Sequence, residues 1–90
     1  WWLVSANGAP DYQIGTTHKN DAGDTVATVY VKNMPTDDDV GKISEELWVK
    51  YGTVRLTFYC DSGDHEYLAQ GIQRSAGNFQ GSINRLATCP

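Results

Sequence analysis

Long apolar runs are missing from this chain of 90 residues. The longest is Trp1-Trp2-Leu3-Val4, far short of the roughly 20 residues that a membrane-crossing helix needs, so no transmembrane segment is expected. Positive charge is scarce too. Seven Lys+Arg against 11 Asp+Glu leave a net charge of −4, which argues against sequence-blind binding to nucleic-acid phosphates. Cysteine is limited to Cys60 and Cys89, with no CxxC and no local Cys/His spacing, so neither a metal site nor a cofactor is expected. None of Asn7, Asn20, Asn33, Asn78 and Asn84 has Ser or Thr two positions on, so no N-linked glycan is expected. There is no internal repeat and no low-complexity tract.

What is present is a composition suited to one folded domain over residues 1–90: 40% hydrophobic residues with 11% aromatics is too rich for disorder. Two cysteines permit one intramolecular pairing. Paired, they close a loop of about 30 residues, valued at roughly 3–4 kcal/mol by the chain-entropy model; unpaired, they are two buried thiols. A chain that begins Trp1-Trp2 rather than Met reads as a mature form released by processing. With the disulfide, that places the protein in a secreted, extracellular setting.

Strand signals come first along the chain. Residues 1–6 are apolar and end at the turn dipeptide Asn7-Gly8. Residues 12–18 read as a second strand, and 25–32 (TVATVYVK), rich in Val, Thr and Tyr, as a third. The helix signal covers residues 36–51. Thr36 is the N-cap and Asp39 completes a capping box. Asp37, Asp38 and Asp39 complement the helix dipole, and Val40, Ile43, Leu47 and Tyr51 form one apolar stripe ending before Gly52. From 53 to 60 the pattern alternates, with Val54, Leu56, Phe58 and Cys60 inward and Arg55, Thr57 and Tyr59 outward. A turn at 61–64 leads to a returning strand over 65–72. Residues 79–89 fit helix or strand; Phe79, Ile83 and Leu86 at helical spacing favour a short helix that presents Cys89 to Cys60. These elements predict an α+β, two-layer sandwich: a mostly antiparallel sheet with one helix on one face, stapled by one disulfide. Reduction is expected to loosen residues 75–90 first.

Chemically active groups are few. His18 and His65 are candidates for general acid and base, and His65 and Glu66 with Arg55 and Tyr59 supply a base, an acid and a cation, the set that a small ribonuclease-like hydrolase needs. Cross-strand pairing on an exposed sheet face accounts for the same residues. Asp21-Ala22-Gly23-Asp24 and Asp61-Ser62-Gly63-Asp64 share the pattern D-x-G-D, which suits turns better than a calcium site. Trp1, Trp2 and Trp48 are candidates for a binding surface, since tryptophan anchors interfaces and stacks on sugars; in a small domain it also fills the core.

The succession of strand 25–32, helix 36–51 and strand 53–60, the TFYCDSG turn at 57–63 and the near-terminal Cys89 resemble the small killer toxins of yeasts and smut fungi, and the secreted fungal effectors built on the same scaffold. That resemblance is architectural and carries no functional residue across. It implies a secreted protein that acts by binding (a toxin, effector or inhibitor) on a protein, carbohydrate or membrane target of another cell. The small hydrolase and a surface domain of a larger, viral assembly are the other readings.

Overall fold

A computed structural model describes residues 2–5, 8–61 and 66–89. Its elements run β1 (Tyr12–Lys19), β2 (Thr25–Val31), α1 (Asp37–Tyr51), β3 (Val54–Cys60), β4 (Ala69–Gln73) and β5 (Phe79–Ile83). The five strands form one sheet in the order β1-β2-β3-β4-β5. All neighbours are antiparallel except β2 and β3, which are parallel and joined by α1. Parallel neighbours need such a crossover, because a tight turn cannot bring the chain back to the same end of the sheet. The expected α+β architecture is therefore the one formed.

Alternation decides which side of the sheet is dry. In β2, Thr25, Ala27, Val29 and Val31 are buried; in β3, Val54, Leu56, Phe58 and Cys60 are. Helix α1 lies over this side with Val40, Ile43, Ser44 and Leu47 buried against it. Its start is built as the sequence implies. Thr36 Oγ1 accepts from the Asp39 amide, and Asp39 Oδ2 accepts from the Thr36 amide, both at 3.1 Å. The helix ends at Gly52, whose φ of 82° lies in the left-handed region that glycine alone adopts without strain.

Three boundaries differ from the sequence expectation. The strand expected over 1–6 is reduced to one bridge, Leu3 to Tyr12, among its described residues. The returning strand begins at Ala69 rather than 65 and extends to Gln73; residues 62–65 lie outside the described residues. The helix favoured for 79–89 is instead a strand followed by a turn. Phe79, Gly81 and Ile83 obey a period of two, and Gly81 sits opposite Gly71. A side chain at either glycine would meet the other's backbone within 3 Å. Leu86, needed for the helical stripe, is 97% exposed.

After β5 the chain turns back and Cys89 reaches Cys60. They form the disulfide, with a Cα–Cα distance of 5.4 Å. At the other end of the sequence, Ser5 reaches α1: Ser5 Oγ and Tyr12 Oη both donate to the Glu46 carboxylate, the latter at 3.2 Å.

Candidate functional site

One side of the sheet is covered by α1. The side chains that alternate the other way in β2–β5 line up across the opposite side. Register sorts them into three cross-strand rows. The central row runs Thr28, Thr57, Gln70, Ser82 by strand pairing, and Thr16 joins it by donating from Oγ1 to Thr28 Oγ1 at 3.3 Å. A second row is Gln13, Tyr30, Tyr59. The third is His18, Val26, Arg55, Ile72, Gln80.

The aromatic row has a specific local cause. A Cβ placed on Gly15 would come within 2.4 Å of Tyr30 Cε2. The edge of the Tyr30 ring therefore occupies the space beside Gly15 that the Cβ of any other residue would fill. Next to it, Tyr59 has its ring centroid 6.1 Å away and its plane tilted by 36°. A β-bulge between Ile14 and Thr17 shifts the register just where this happens. Both rings are half-buried.

Charge on these rows is confined to Arg55 and the titratable His18. Arg55 Nε donates to Asp24 Oδ2 at 3.2 Å, so the guanidinium is balanced by a carboxylate at the β1–β2 turn. Beside it, Val26, Arg55, Thr57, Gln70, Ile72 and Ser82 border a shallow depression of about 520 Å³.

The residues singled out from sequence fall in different places. Arg55 and His18 share a row, but Val26 of β2 stands between them. Glu66 is exposed and sits beyond the far end of β3: Arg55 pairs with Ile72, six residues along from Glu66, a separation of up to about 20 Å in extended chain. His65 and Trp1 lie outside the described residues. Trp2 is half-buried with the Lys32 ammonium 4.7 Å from its ring centre. Trp48 is half-buried on α1 and packs against the core, so it belongs to the covered side. Asp21–Asp24 is a turn: Asn20 Oδ1 accepts from the amides of Ala22 and Asp24, both at 3.0 Å. Among the described residues no three His, Cys, Asp or Glu side chains gather as metal ligands.

A second polar cluster lies between α1 and β4. Gln73, fully buried, donates from Nε2 to Glu45 Oε1 at 2.7 Å, and the Gly77 amide donates to the same oxygen at 2.6 Å. These bonds fasten the β4–β5 turn to the helix.

Tyr30, Thr28, Gln70 and Ser82 escaped the sequence reading, which placed Thr57 and Tyr59 outward. One signal for them was present: the tripeptide pattern Thr-x-Tyr occurs twice, as Thr28-Val29-Tyr30 and Thr57-Phe58-Tyr59. Both copies sit on strands, and the parallel register aligns them residue for residue.

Comparison with family models, with curated proteins and with solved structures gives no match for this chain.

Proposed function

We propose that this protein is a secreted, single-disulfide binding module of the toxin, effector or inhibitor kind, directed at a surface component of another cell. Its contact surface is the side of the sheet opposite α1. The observation that carries this reading is the alignment, on that side, of two Thr-x-Tyr copies with Gln70 and Ser82 into continuous rows. A sheet side that faces only water has no need for a tyrosine seated against a glycine, and Gly15 in a strand interior costs about 0.5–1 kcal/mol relative to Ala.

Fluorescently labelled protein incubated with intact yeast and bacterial cells tests it. The expected result is saturable binding that Thr57→Glu abolishes and Val49→Glu, on the exposed side of α1, leaves unchanged. No saturable binding, or binding that survives Thr57→Glu, overturns the assignment.

A further inference from the structure

We infer that the three-row surface binds a neutral oligosaccharide. This rests on the reading of that surface as the binding face and names its ligand class. Three features point the same way.

The first is the aromatic pair. A pyranose ring presents C–H groups on its faces and hydroxyls around its rim. It stacks on an accessible aromatic face, and the half-buried Tyr30 ring is seated by the room that Gly15 leaves at its edge. Tyr59 sets a second, tilted ring beside it, and a phenol adds a hydrogen-bonding tip to each apolar ring.

The second is the chemistry of the central row. Thr16, Thr28, Thr57 and Ser82 carry hydroxyls and Gln70 an amide, groups that each donate and accept. A sugar chain offers hydroxyls of the same double capacity along its length. Five strands at about 4.8 Å spacing give a row about 19 Å long, which suits an oligomer rather than a monosaccharide.

The third is charge. Arg55 is the one permanently charged side chain in the rows, and Asp24 balances it. A polyanion finds no uncompensated cation there and meets a net charge of −4. Single-stranded nucleic acid also stacks on aromatics, but its binding sites track the backbone with basic residues. A protein partner is served by large apolar anchors at the centre of the contact. Here the centre is Thr57 and Gln70, and the apolar pair Val26 and Ile72 lies to one side.

The test is an amide chemical-shift titration of the oxidised full chain with cellohexaose, chitohexaose and mannohexaose, and with a heparin hexasaccharide as the charged comparison. The expected result is saturable shifts for at least one neutral hexasaccharide, centred on Thr28, Tyr30, Thr57, Tyr59 and Gln70, and weaker binding of heparin. Tyr30→Ala weakens the affinity at least tenfold. Gly15→Ala, which keeps the tyrosine but displaces its ring, weakens it about as much. Thr57→Val preserves shape and weakens it several-fold, so a folding defect in Tyr30→Ala leaves the test intact. No saturable shift with any neutral hexasaccharide, shifts centred on α1, or tighter binding of heparin overturns the inference. If Thr57→Glu still abolishes cell binding while no sugar binds, the binding face stands and the carbohydrate assignment falls.

Discussion

Ser44 Oγ donates to Gln73 Oε1 at 2.6 Å inside the core, with both residues 0% exposed. The bond joins the middle of α1 to the end of β4. Gln73 Nε2 is satisfied as well, by Glu45 Oε1 and by the Ser75 carbonyl at 3.0 Å. Ser44→Ala removes one of these partners and leaves a buried carbonyl oxygen unpaired, at a cost of about 1–3 kcal/mol. Urea unfolding of Ser44→Ala, Gln73→Ala and the double variant is expected to show coupling above about 0.5 kcal/mol. Simple additivity would mean that the two side chains do not depend on each other.

Two glycines should respond oppositely to alanine. Gly41 lies inside α1 with open space where a Cβ would project. Gly41→Ala is therefore expected to stabilise the protein by about 0.5–1 kcal/mol, through helix propensity and a less flexible unfolded chain. At Gly71 the built Cβ is 2.4 Å from Phe79 Cζ and 2.6 Å from the Gln80 carbonyl oxygen. Backbone cannot yield as a side chain does, so Gly71→Ala should destabilise by about 1–3 kcal/mol. Thermal unfolding of both variants checks the pair of signs.

Burial, then the nearby Glu46 carboxylate and its hydrogen bond, push the Tyr12 phenol up from its ordinary 10.0 to about 12. The folded protein thus keeps a proton that the unfolded chain has already lost above pH 10. The stability tied to this group is intact below pH 10 and falls as the pH rises toward 12, by up to about 1.4 kcal/mol per pH unit. Denaturant titrations at pH 9, 10.5 and 11.5 should show Tyr12→Phe losing less stability over this interval than the parent protein. Equal slopes would detach Tyr12 from the alkaline limb.

Reduction of Cys60–Cys89 opens a loop closed at a sequence separation of 29, worth roughly 3–4 kcal/mol in the chain-entropy model. The sheet narrows the segment that should loosen first. Residues 79–83 are paired along β4, so they are held without the disulfide. Beyond them, the Asn84 side chain and amide bond to Tyr67 O and Leu68 O at 3.0 and 2.8 Å. Hydrogen exchange on the reduced protein should therefore show early loss of protection over 85–89 and retained protection in β5, in place of a release of all of 75–90. Early exchange at Gly81 and Ser82 would contradict this.

Legibility of the sequence followed the range of the interactions involved. Helix α1 was readable because its cap, dipole charges and apolar stripe are all set within one or two turns. Strands β2 and β3 were readable because their alternation is uninterrupted. Strand β5 was not: Phe79, Ile83 and Leu86 match a helix locally, and what decides against it is Gly71, ten residues from Gly81 in the chain and directly opposite it in the sheet. Gln73 fell just outside the strand expected over 65–72 and is a core residue, because its partners Ser44 and Glu45 lie nearly 30 positions earlier. The proposed site was legible only in half. Alternation pointed Tyr59 and Arg55 outward, but the alignment of Tyr30 with Tyr59 depends on a parallel register that no local pattern reports.

The single parallel pairing divides the sheet by origin. Strands β1 and β2 form a hairpin, and β3, β4 and β5 form a meander, each assembled from neighbours in sequence. The two are stitched along one seam, where Thr28 meets Thr57 and Tyr30 meets Tyr59. Closing that seam requires the long excursion through α1, which makes it the non-local step of folding. Every row of the candidate site crosses it. A molecule lying along the rows would act as a splint across the two halves, and occupancy would register as resistance to unfolding in proportion to the logarithm of its concentration.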